Sequence, residues 1–417
     1  MLLSGAYFFC ILFAYSLISP YRDEMGMRKL ESLPWLWTGT LAATLVAAFL
    51  YAVLVSRLPR RWFVPIAYLF FAACLAGFYA LFLTVAPAEH AWIGYSFYIW
   101  TSVFSLFNTA IFWGLTTDLY TSEQGKRLFG AIGIGGTLGT ISGSSVPSFL
   151  VRGFDIGRSH VHIPAVQLLP ISMVVLGVAV VLALRLLARL GDAPQAGGRA
   201  REPGGRPWSG VAIIARSPYL LGLCGYMLLF SVTSTFLTYL QLDIIAHSSS
   251  ESDKRVAAQA TVTLWANIVT LTTQVFFTGQ ILTRLGLLFG LLLLPVVTGG
   301  GFLALAAAGT PLMVLVVAAG RRGLHYAVDR PTREVLYTVL GPEEKYKSKS
   351  FIDTFVYRTG DQIGIWTSSG LKQAGFALAA LASMAAALSL LWIGVGAALN
   401  AMNRRIARRD GGVGRGD

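Results

Sequence analysis

The sequence predicts an all-α membrane protein of twelve transmembrane helices in two six-helix halves. Three observations carry this prediction. Of 417 residues, 55% are hydrophobic and 13% are charged, where a soluble domain carries roughly 25% charged residues. Twelve apolar runs follow one another along the chain, each near or above the ~20 residues that a spanning helix needs. The longest polar stretch, at about 190–217 and containing GDAPQAGGRAREPGGRPWSGVAIIARS from Gly191, lies near mid-chain with six runs on either side.

The first six runs fall at 2–19, 34–56, 62–86, 91–117, 128–150 and 166–189. The second six fall at 218–246, 257–283, 286–308, 311–339, 351–371 and 376–400. They divide the chain into an N-terminal half (1–189), a cytoplasmic linker (190–217), a C-terminal half (218–400) and a basic cytoplasmic tail (401–417). The net charge of +13 is spread through short segments between the runs, so it reads as an orientation signal and not as a nucleic-acid surface. With the N-terminus inside, cytoplasmic segments from Arg57 to Arg415 hold 21 Lys and Arg, and outer segments from Arg22 to Lys372 hold 8. Both termini are therefore expected in the cytoplasm, with the chain in the inner membrane. The first run lacks a basic leader and a small-residue cleavage site, which predicts an uncleaved signal anchor. Cys10, Cys74 and Cys224 are isolated within apolar runs and give no disulfide or metal spacing.

The polar features follow in chain order. SPYRDEMG closes the first span and places Arg22 and Asp23 near the outer mouth, as a solvated pair or a first docking point for an anion. In the fourth span, Ser105, Asn108, Thr109 and Thr116 form a stripe leading to Asp118. Ser231, Ser234, Thr238 and Gln241 repeat that spacing in the seventh. Such stripes line a cavity or join helices by hydrogen bonds. The fifth span, GAIGIGGTLGTISG, lacks the preceding strand and the spacing of a dinucleotide loop. Gly135, Gly139 and Gly143 instead recur every four residues, the pattern for close helix approach, which would let the halves rock against each other.

The tenth span, GRRGLHYAVDRPTREVLY, is the densest in charge. Arg321, His325, Asp329 and Arg333 recur every four residues, beside a row of Arg322, Tyr326, Arg330 and Glu334, and Pro331 interrupts the helix. So many charges cannot face lipid. Arginine matches phosphate and carboxylate oxygens, so Arg321, Arg322 and His325 are candidate contacts for an anion. Arg330 to Glu334 fit a gate of ion pairs near the cytoplasmic mouth. In the eleventh span, FIDTFVYRTGDQIGIW, Asp353, Tyr357 and Asp361 share one row, and Thr354, Arg358 and Gln362 the next. Asp361 falls roughly 15 Å from Phe351, near the bilayer middle. It must be paired or face water, and Arg358 stands three residues before it. A salt bridge locking the halves and direct handling of substrate or proton both remain open.

An internal repeat joins the halves. DLYTSEQGKRLFG, from Asp118, and EVLYTVLGPEEKYKSKSF, from Glu334, share Leu-Tyr-Thr, Glu, Lys and Phe in that order, with Leu119 and Leu336 217 positions apart. Two halves of like orientation joined by a cytoplasmic linker resemble the organisation of major facilitator transporters. SPYRDEMG, FWGLTTDLYTSEQGKRLFGAIGIGGTLG, YMLLFSVTSTF and RPTREVLYTVLGPEEKYKSKSFIDTFVYRTGDQIG together resemble the ATP/ADP translocase family of nucleotide exchangers, in particular its bacterial relatives. The resemblance implies alternating access and exchange of nucleotides or related anions without hydrolysis. It matches Arg22 to a basic residue after the first span, Asp118 to the acid after the FW pair, and Lys126 and Arg127 to a basic pair. Ser19 stands where the exchangers carry an Arg, and Asp361 where they carry a Lys, which reverses a charge.

The resulting expectation is a secondary active transporter for an anionic or nucleotide-like metabolite. Its substrate contacts would be Arg22, Asn108, Arg321, Arg322, His325 and Arg358. Its coupling or gating groups would be Asp23, Asp118, Lys126, Asp329, Arg330, Glu334, Asp353 and Asp361. A proton-coupled facilitator for a neutral or cationic solute is the alternative, and a sensor or assembly partner a third class. The partners expected are a small-molecule substrate and the lipid bilayer, with no nucleic acid, for a monomer. No cofactor or metal is expected. No nucleophile–base pair appears, so an enzyme is not expected.

Overall fold

The computed structural model describes residues 1–57, 59–85, 90–120, 122–156, 159–190, 209–276 and 286–413. The side chains of Asp118, Lys126 and Arg127 lie outside the described ones. Apolar runs become helices because lipid offers no partner to backbone N–H and C=O groups, which a helix satisfies internally. The helices before the linker are α1 (Leu2–Met27), α2 (Leu33–Arg57), α3 (Arg60–Thr84), α4 (His90–Leu119), α5 (Ser122–Val146) and α6 (Leu168–Leu190). After the linker come α7 (Ser209–Arg216), α8 (Pro218–Ser248), α9 (Ser252–Phe276), α10 (Gly286–Ala307), α11 (Pro311–Leu324), α12 (Arg330–Leu336), α13 (Pro342–Phe351), α14 (Tyr357–Gln373) and α15 (Leu378–Val413).

Among the described residues, eight helices are long and apolar enough to cross a membrane: α1, α2, α3, α4, α6, α8, α10 and α15. The other four predicted runs also fold as helix, in α5, α9, α11–α12 and α14, but glycine or charge dilutes their apolar character.

Three local features depart from the sequence expectation. The loop after α5 holds a short antiparallel hairpin, β1 (Phe154–Ile156) with β2 (Ser159–Val161), pairing Asp155 with His160. Gly153, at φ +79°, turns the chain into it. The break expected at Pro331 falls one turn earlier, in a wide π turn over His325–Asp329. Pro331 itself sits in the first turn of α12, where its missing N–H costs nothing. The basic segment read as a loop before the eleventh span is the helix α13, which passes through a second wide turn, Ile352–Val356, into α14.

The chain divides into two compact units. One comprises Met1–Glu202 with Ile245–Leu264, the other Pro203–Ile244 with Trp265–Asp417. The end of α8 and the first half of α9 thus belong with the first unit. Its core surrounds α1, where Phe8 stacks on Phe112 at 4.1 Å and Tyr7 donates to the Tyr68 hydroxyl at 2.8 Å. The glycine pattern of α5 packs here, against α1. A Cβ at Gly135, Gly139 or Gly143 would stand 2.4, 2.4 or 2.5 Å from the carbonyl oxygens of Gly5, Phe9 and Phe13. The seam joins two helices of one unit, so it is not the surface on which halves would rock.

The second unit has its own core of Tyr226, Phe230, Leu291, Leu294 and Trp392. It also has its own glycine seam, which the sequence reading treated only as charge. A Cβ at Gly360 would stand 2.7 Å from Ser231 Cβ and 3.1 Å from the Leu228 carbonyl oxygen. One at Gly364 would stand 2.8 Å from Thr235 Cβ and 3.0 Å from the Val232 carbonyl oxygen. These glycines bring α14 against the backbone of α8.

Gly139→Val should therefore lower the thermal unfolding midpoint of the detergent-purified protein, since overpacking costs about 1–3 kcal/mol and here the obstacle is backbone. Gly177 on α6 has nothing within 4 Å of a Cβ, so Gly177→Ala should leave the midpoint level or raise it slightly. Equal midpoints for Gly139→Val and wild type would contradict the seam.

Candidate functional site

In the second unit, charge gathers around Phe230 of α8. Arg321 on α11 is 5% exposed, and its guanidinium lies over the Phe230 ring, 5.2 Å from the centroid. It donates to Thr298 Oγ1 (3.2 Å), Ser234 Oγ (3.0 Å), the Phe230 carbonyl (3.2 Å) and Thr233 Oγ1 (3.4 Å). These four bonds use Nε–H, one N–H of NH1 and both of NH2, and every acceptor is neutral. No carboxylate stands within ion-pair distance of Arg321 among the described residues. Arg321 thus holds its positive charge in an apolar bundle on neutral partners among the described residues.

One turn further on, His325 stacks on the same ring at 4.4 Å and pairs through Nδ1 with Asp329 Oδ2 at 3.1 Å. Asp329 is fully buried and also accepts from the Tyr226 hydroxyl at 2.8 Å. Arg333 Nε lies 3.1 Å from Asp329 Oδ2, an ion pair without hydrogen-bond alignment. Its guanidinium also lies 5.5 Å from the Phe230 centroid. The sequence places Arg333 in a gate of ion pairs near the cytoplasmic mouth, on the same row as Asp329. It is largely buried and neutralises Asp329. Arg322 is half-buried on the next row, and Arg330 is exposed. Glu334 pairs with Lys349 of α13 at 2.6 Å, clear of the Phe230 cluster.

The row Asp353–Tyr357–Asp361 separates in the structure. Asp353 is exposed, in the wide turn before α14. Tyr357 is half-buried, its ring 6.0 Å from that of Phe230. Asp361 is 6% exposed between the two seam glycines, with Ser231 Oγ 2.6 Å and Thr235 Oγ1 3.3 Å from its Oδ1. Arg358 is 48% exposed, and its NH1 stands 3.6 Å from Asp361 Oδ2, so the anticipated same-helix pair is long. The hydroxyls of α8 hold Asp361 more closely than arginine does.

The first unit collects its charge at the end of α1. Arg22 pairs with Asp23 at 2.5 Å and lies over the Tyr98 ring at 5.4 Å. Gln259 of α9 donates to Asp23 Oδ2 at 2.7 Å. The strongest pair was missed by the sequence reading. Glu24, fully buried, accepts from Arg255 NH2 at 2.7 Å and Nε at 2.8 Å, from Ser252 Oγ at 2.9 Å, and from Arg28 at 3.3 Å. The hydrogen bonds to Glu24 hold the Arg255 pKa above its ordinary value. The available signal was the RDE triplet itself, where three successive charges on one helix cannot all face the same way.

Asn108 is fully buried, donates to the Ile11 carbonyl at 3.2 Å, and so ties α4 to α1. Thr109 and Thr116 of the same stripe donate to carbonyls one turn back in α4. Asp118 and Lys126 fall outside the described side chains.

The family model described as Major Facilitator Superfamily matches residues 1–324. The chain belongs to the Major Facilitator Superfamily. It is thus a multi-pass membrane protein and a secondary transporter by family. Over 94% of this chain and 86% of the relative, it is 22% identical to "ADP,ATP carrier protein 1" of Chlamydia muridarum. To the protein of the same name in Chlamydia trachomatis it is 23% identical, over 87% of this chain and 80% of the relative. Among solved structures it is similar to the nucleoside transporter NupG, with a TM-score of 0.65 and 13% identity over 96% of this chain and 99% of that one. It is also similar to a bacterial homologue of the human lysosomal transporter Spinster, with a TM-score of 0.60 and 14% identity over 98% and 97%. These likenesses place the Phe230 cluster in a facilitator fold.

Asp329→Asn removes the charge that balances Arg333 and should destabilise the purified transporter by about 3–5 kcal/mol. Tyr226→Phe removes one hydrogen bond to the same carboxylate and should cost about 1 kcal/mol. Thermal unfolding in detergent should therefore rank wild type above Tyr226→Phe above Asp329→Asn. The reverse ranking would show that Asp329 is not the balancing charge.

Proposed function

We propose that this facilitator moves an anionic, nucleotide-like metabolite by alternating access, and that Arg321 carries the recognition of its negative charge. The observation behind this reading is the state of Arg321: buried, tied by four neutral acceptors, and unmatched by a carboxylate among the described residues. An arginine kept charged in an apolar setting favours an anion strongly, because few waters compete there. Phosphate and carboxylate oxygens match its planar fork better than any neutral solute does. His325 and Arg322 flank it on the same helix, whereas Arg333 is occupied by Asp329. The names of the Chlamydia relatives, ADP,ATP carriers, and of NupG, a nucleoside transporter, support a nucleotide-like cargo. Arg22 fits a docking role at the outer mouth, where Asp23 holds its guanidinium.

The accompanying topology is an inner-membrane monomer of two six-helix halves, 1–189 and 218–400, joined by a cytoplasmic linker. The excess of 21 over 8 basic residues favours both termini in the cytoplasm.

Proteoliposomes preloaded with ADP should take up labelled ATP, or another phosphorylated metabolite from a panel, by exchange. Loss of one charge-assisted contact is worth about 1.5–3 kcal/mol. Arg321→Ala should therefore lower kcat/KM roughly ten- to a hundred-fold, and Arg321→Lys should restore only part of it. Absence of flux with every anion in the panel, or equal activity of Arg321→Ala and wild type, would refute the assignment.

A further inference from the structure

Four oxygen–oxygen contacts converge on the hydroxyls of Ser231 and Thr235, two of them to Asp361, and the two hydroxyls bring two hydrogens to them. Ser231 Oγ lies 2.6 Å from Asp361 Oδ1 and 2.8 Å from the Tyr357 carbonyl oxygen. Thr235 Oγ1 lies 3.3 Å from Oδ1 and 3.0 Å from the Ser231 carbonyl oxygen. Each hydroxyl has a single hydrogen. With Asp361 ionised, Ser231 must leave either its 2.6 Å or its 2.8 Å contact without a proton. Two lone-pair oxygens at such distances repel.

A proton on Oδ1 removes the conflict. Asp361 then donates to Ser231 Oγ, Ser231 donates to the Tyr357 carbonyl, and Thr235 donates to the Ser231 carbonyl. Each of the three shortest contacts now carries one hydrogen, and the 3.3 Å approach of Thr235 to Oδ1 is left as a plain contact. The 2.6 Å spacing also separates a proton from a metal ion. Such a length is usual for an O–H···O bond. Oxygens of different groups sharing a cation at ~2.0–2.6 Å stand about 3 Å or more apart.

The ionised form has a different partner. Arg358, on the same helix, stands 3.6 Å from Oδ2 and is the charged group within ion-pair distance among the described residues. From α8, Asp361 meets Ser231 and Thr235, which do not titrate, and α8 backbone at the Gly360 and Gly364 contacts. Two protonation states therefore have two sets of partners: α8 hydroxyls for the acid, Arg358 for the carboxylate.

We propose that Asp361 is a proton-binding site that couples proton movement to transport, with Ser231 as the hydroxyl that turns when the proton leaves. The proton comes from water on one side and returns to water on the other, and no electron moves. This rests on the chain being a secondary transporter but not on the anion assigned to Arg321.

Infrared difference spectroscopy on the purified, lipid-reconstituted full chain tests the site without any substrate. Titration from acid to base should remove the carbonyl stretch of a protonated carboxylic acid. That band should be absent in Asp361→Asn and shifted in frequency in Ser231→Ala, which removes the hydroxyl bonded to the acid. Asp361→Glu should restore a band, which guards against a misfolded Asn variant. In proteoliposomes, an imposed pH gradient should drive flux in wild type, with at least a tenfold loss in Asp361→Asn. Identical difference spectra for wild type and Asp361→Asn would overturn the proposal. So would a band that sodium chloride abolishes at constant pH, which would mark a cation site. Flux of a panel solute that ignores the pH gradient, with the band intact, would overturn the coupling, whereas pH-driven flux of a neutral or cationic solute only would count against the anion reading alone.

Discussion

A charge inside an apolar bundle persists only where a neighbouring helix supplies oxygen atoms in place of water. In the second unit that supplier is α8. Tyr226, Phe230, Thr233 and Ser234 fall at i, i+4, i+7 and i+8, so they share one face. That face presents a phenol to Asp329 and two hydroxyls and a carbonyl to Arg321. Leu228, Ser231, Val232 and Thr235 form another face, which meets the glycines of α14 and holds Asp361. One helix thus solvates an arginine on one side and a carboxylate on the other. Changes in α8 would disturb both, although the charges themselves reside on α11, the turn after it, and α14.

Glycine makes that arrangement possible. An aspartyl side chain can bond to the hydroxyls of a neighbouring helix only if the two backbones approach closely. Gly360 and Gly364 permit this where any side chain would strike Ser231 or Thr235. The same device joins α5 to α1 in the first unit, where carbonyl oxygens stand within 2.5 Å of the missing Cβ positions. Gly143 and Gly360 are 217 residues apart, the separation of Leu119 and Leu336 in the sequence repeat. The repeat thus extends to the helix contact itself.

Much of this was legible in the sequence because it obeys periodicity. Helix runs, the α5 glycine spacing, and the burial of Arg321 and Asp361 all follow from apolar context and the 3.6-residue turn. What escaped depends on contacts between residues far apart in the chain. Glu24 and Arg255 are 231 positions apart, and nothing local marks them as partners. The row Arg321–His325–Asp329–Arg333 was legible as one helix face, but the wide turn at His325–Asp329 that precedes Pro331 was not. That turn also adds an extra residue to the helix before Arg333. Even so, Asp329 stays within ion-pair reach of both His325 and Arg333. The hairpin after α5 is three residues to a strand, too short to show as alternation.

The repeat also shows where the two halves part. Applying the 217-residue offset sets Phe104 against Arg321, Asn108 against His325, and Ser144 against Asp361. In the first half these places hold neutral residues with undemanding partners. Phe104 packs on Trp100 at 5.3 Å, Asn108 donates to an α1 carbonyl, and Ser144 donates to the carbonyl of Thr140 in its own helix. In the second half the same places hold an arginine and an aspartyl group bonded to α8, and an imidazole that stacks on α8 while pairing with Asp329. A neutral residue bonded within its own helix keeps its partner whatever its neighbour does. A charge that takes its oxygens from another helix is tied to that helix's position. The free energies of Arg321 and Asp361 are therefore tied to the position of α8. Among the described residues, a comparable charge of the first half is Asp23 at the end of α1, which pairs with Arg22 beside it. On the proposed roles of Arg321 and Asp361, the response to ligand and proton resides in the second half.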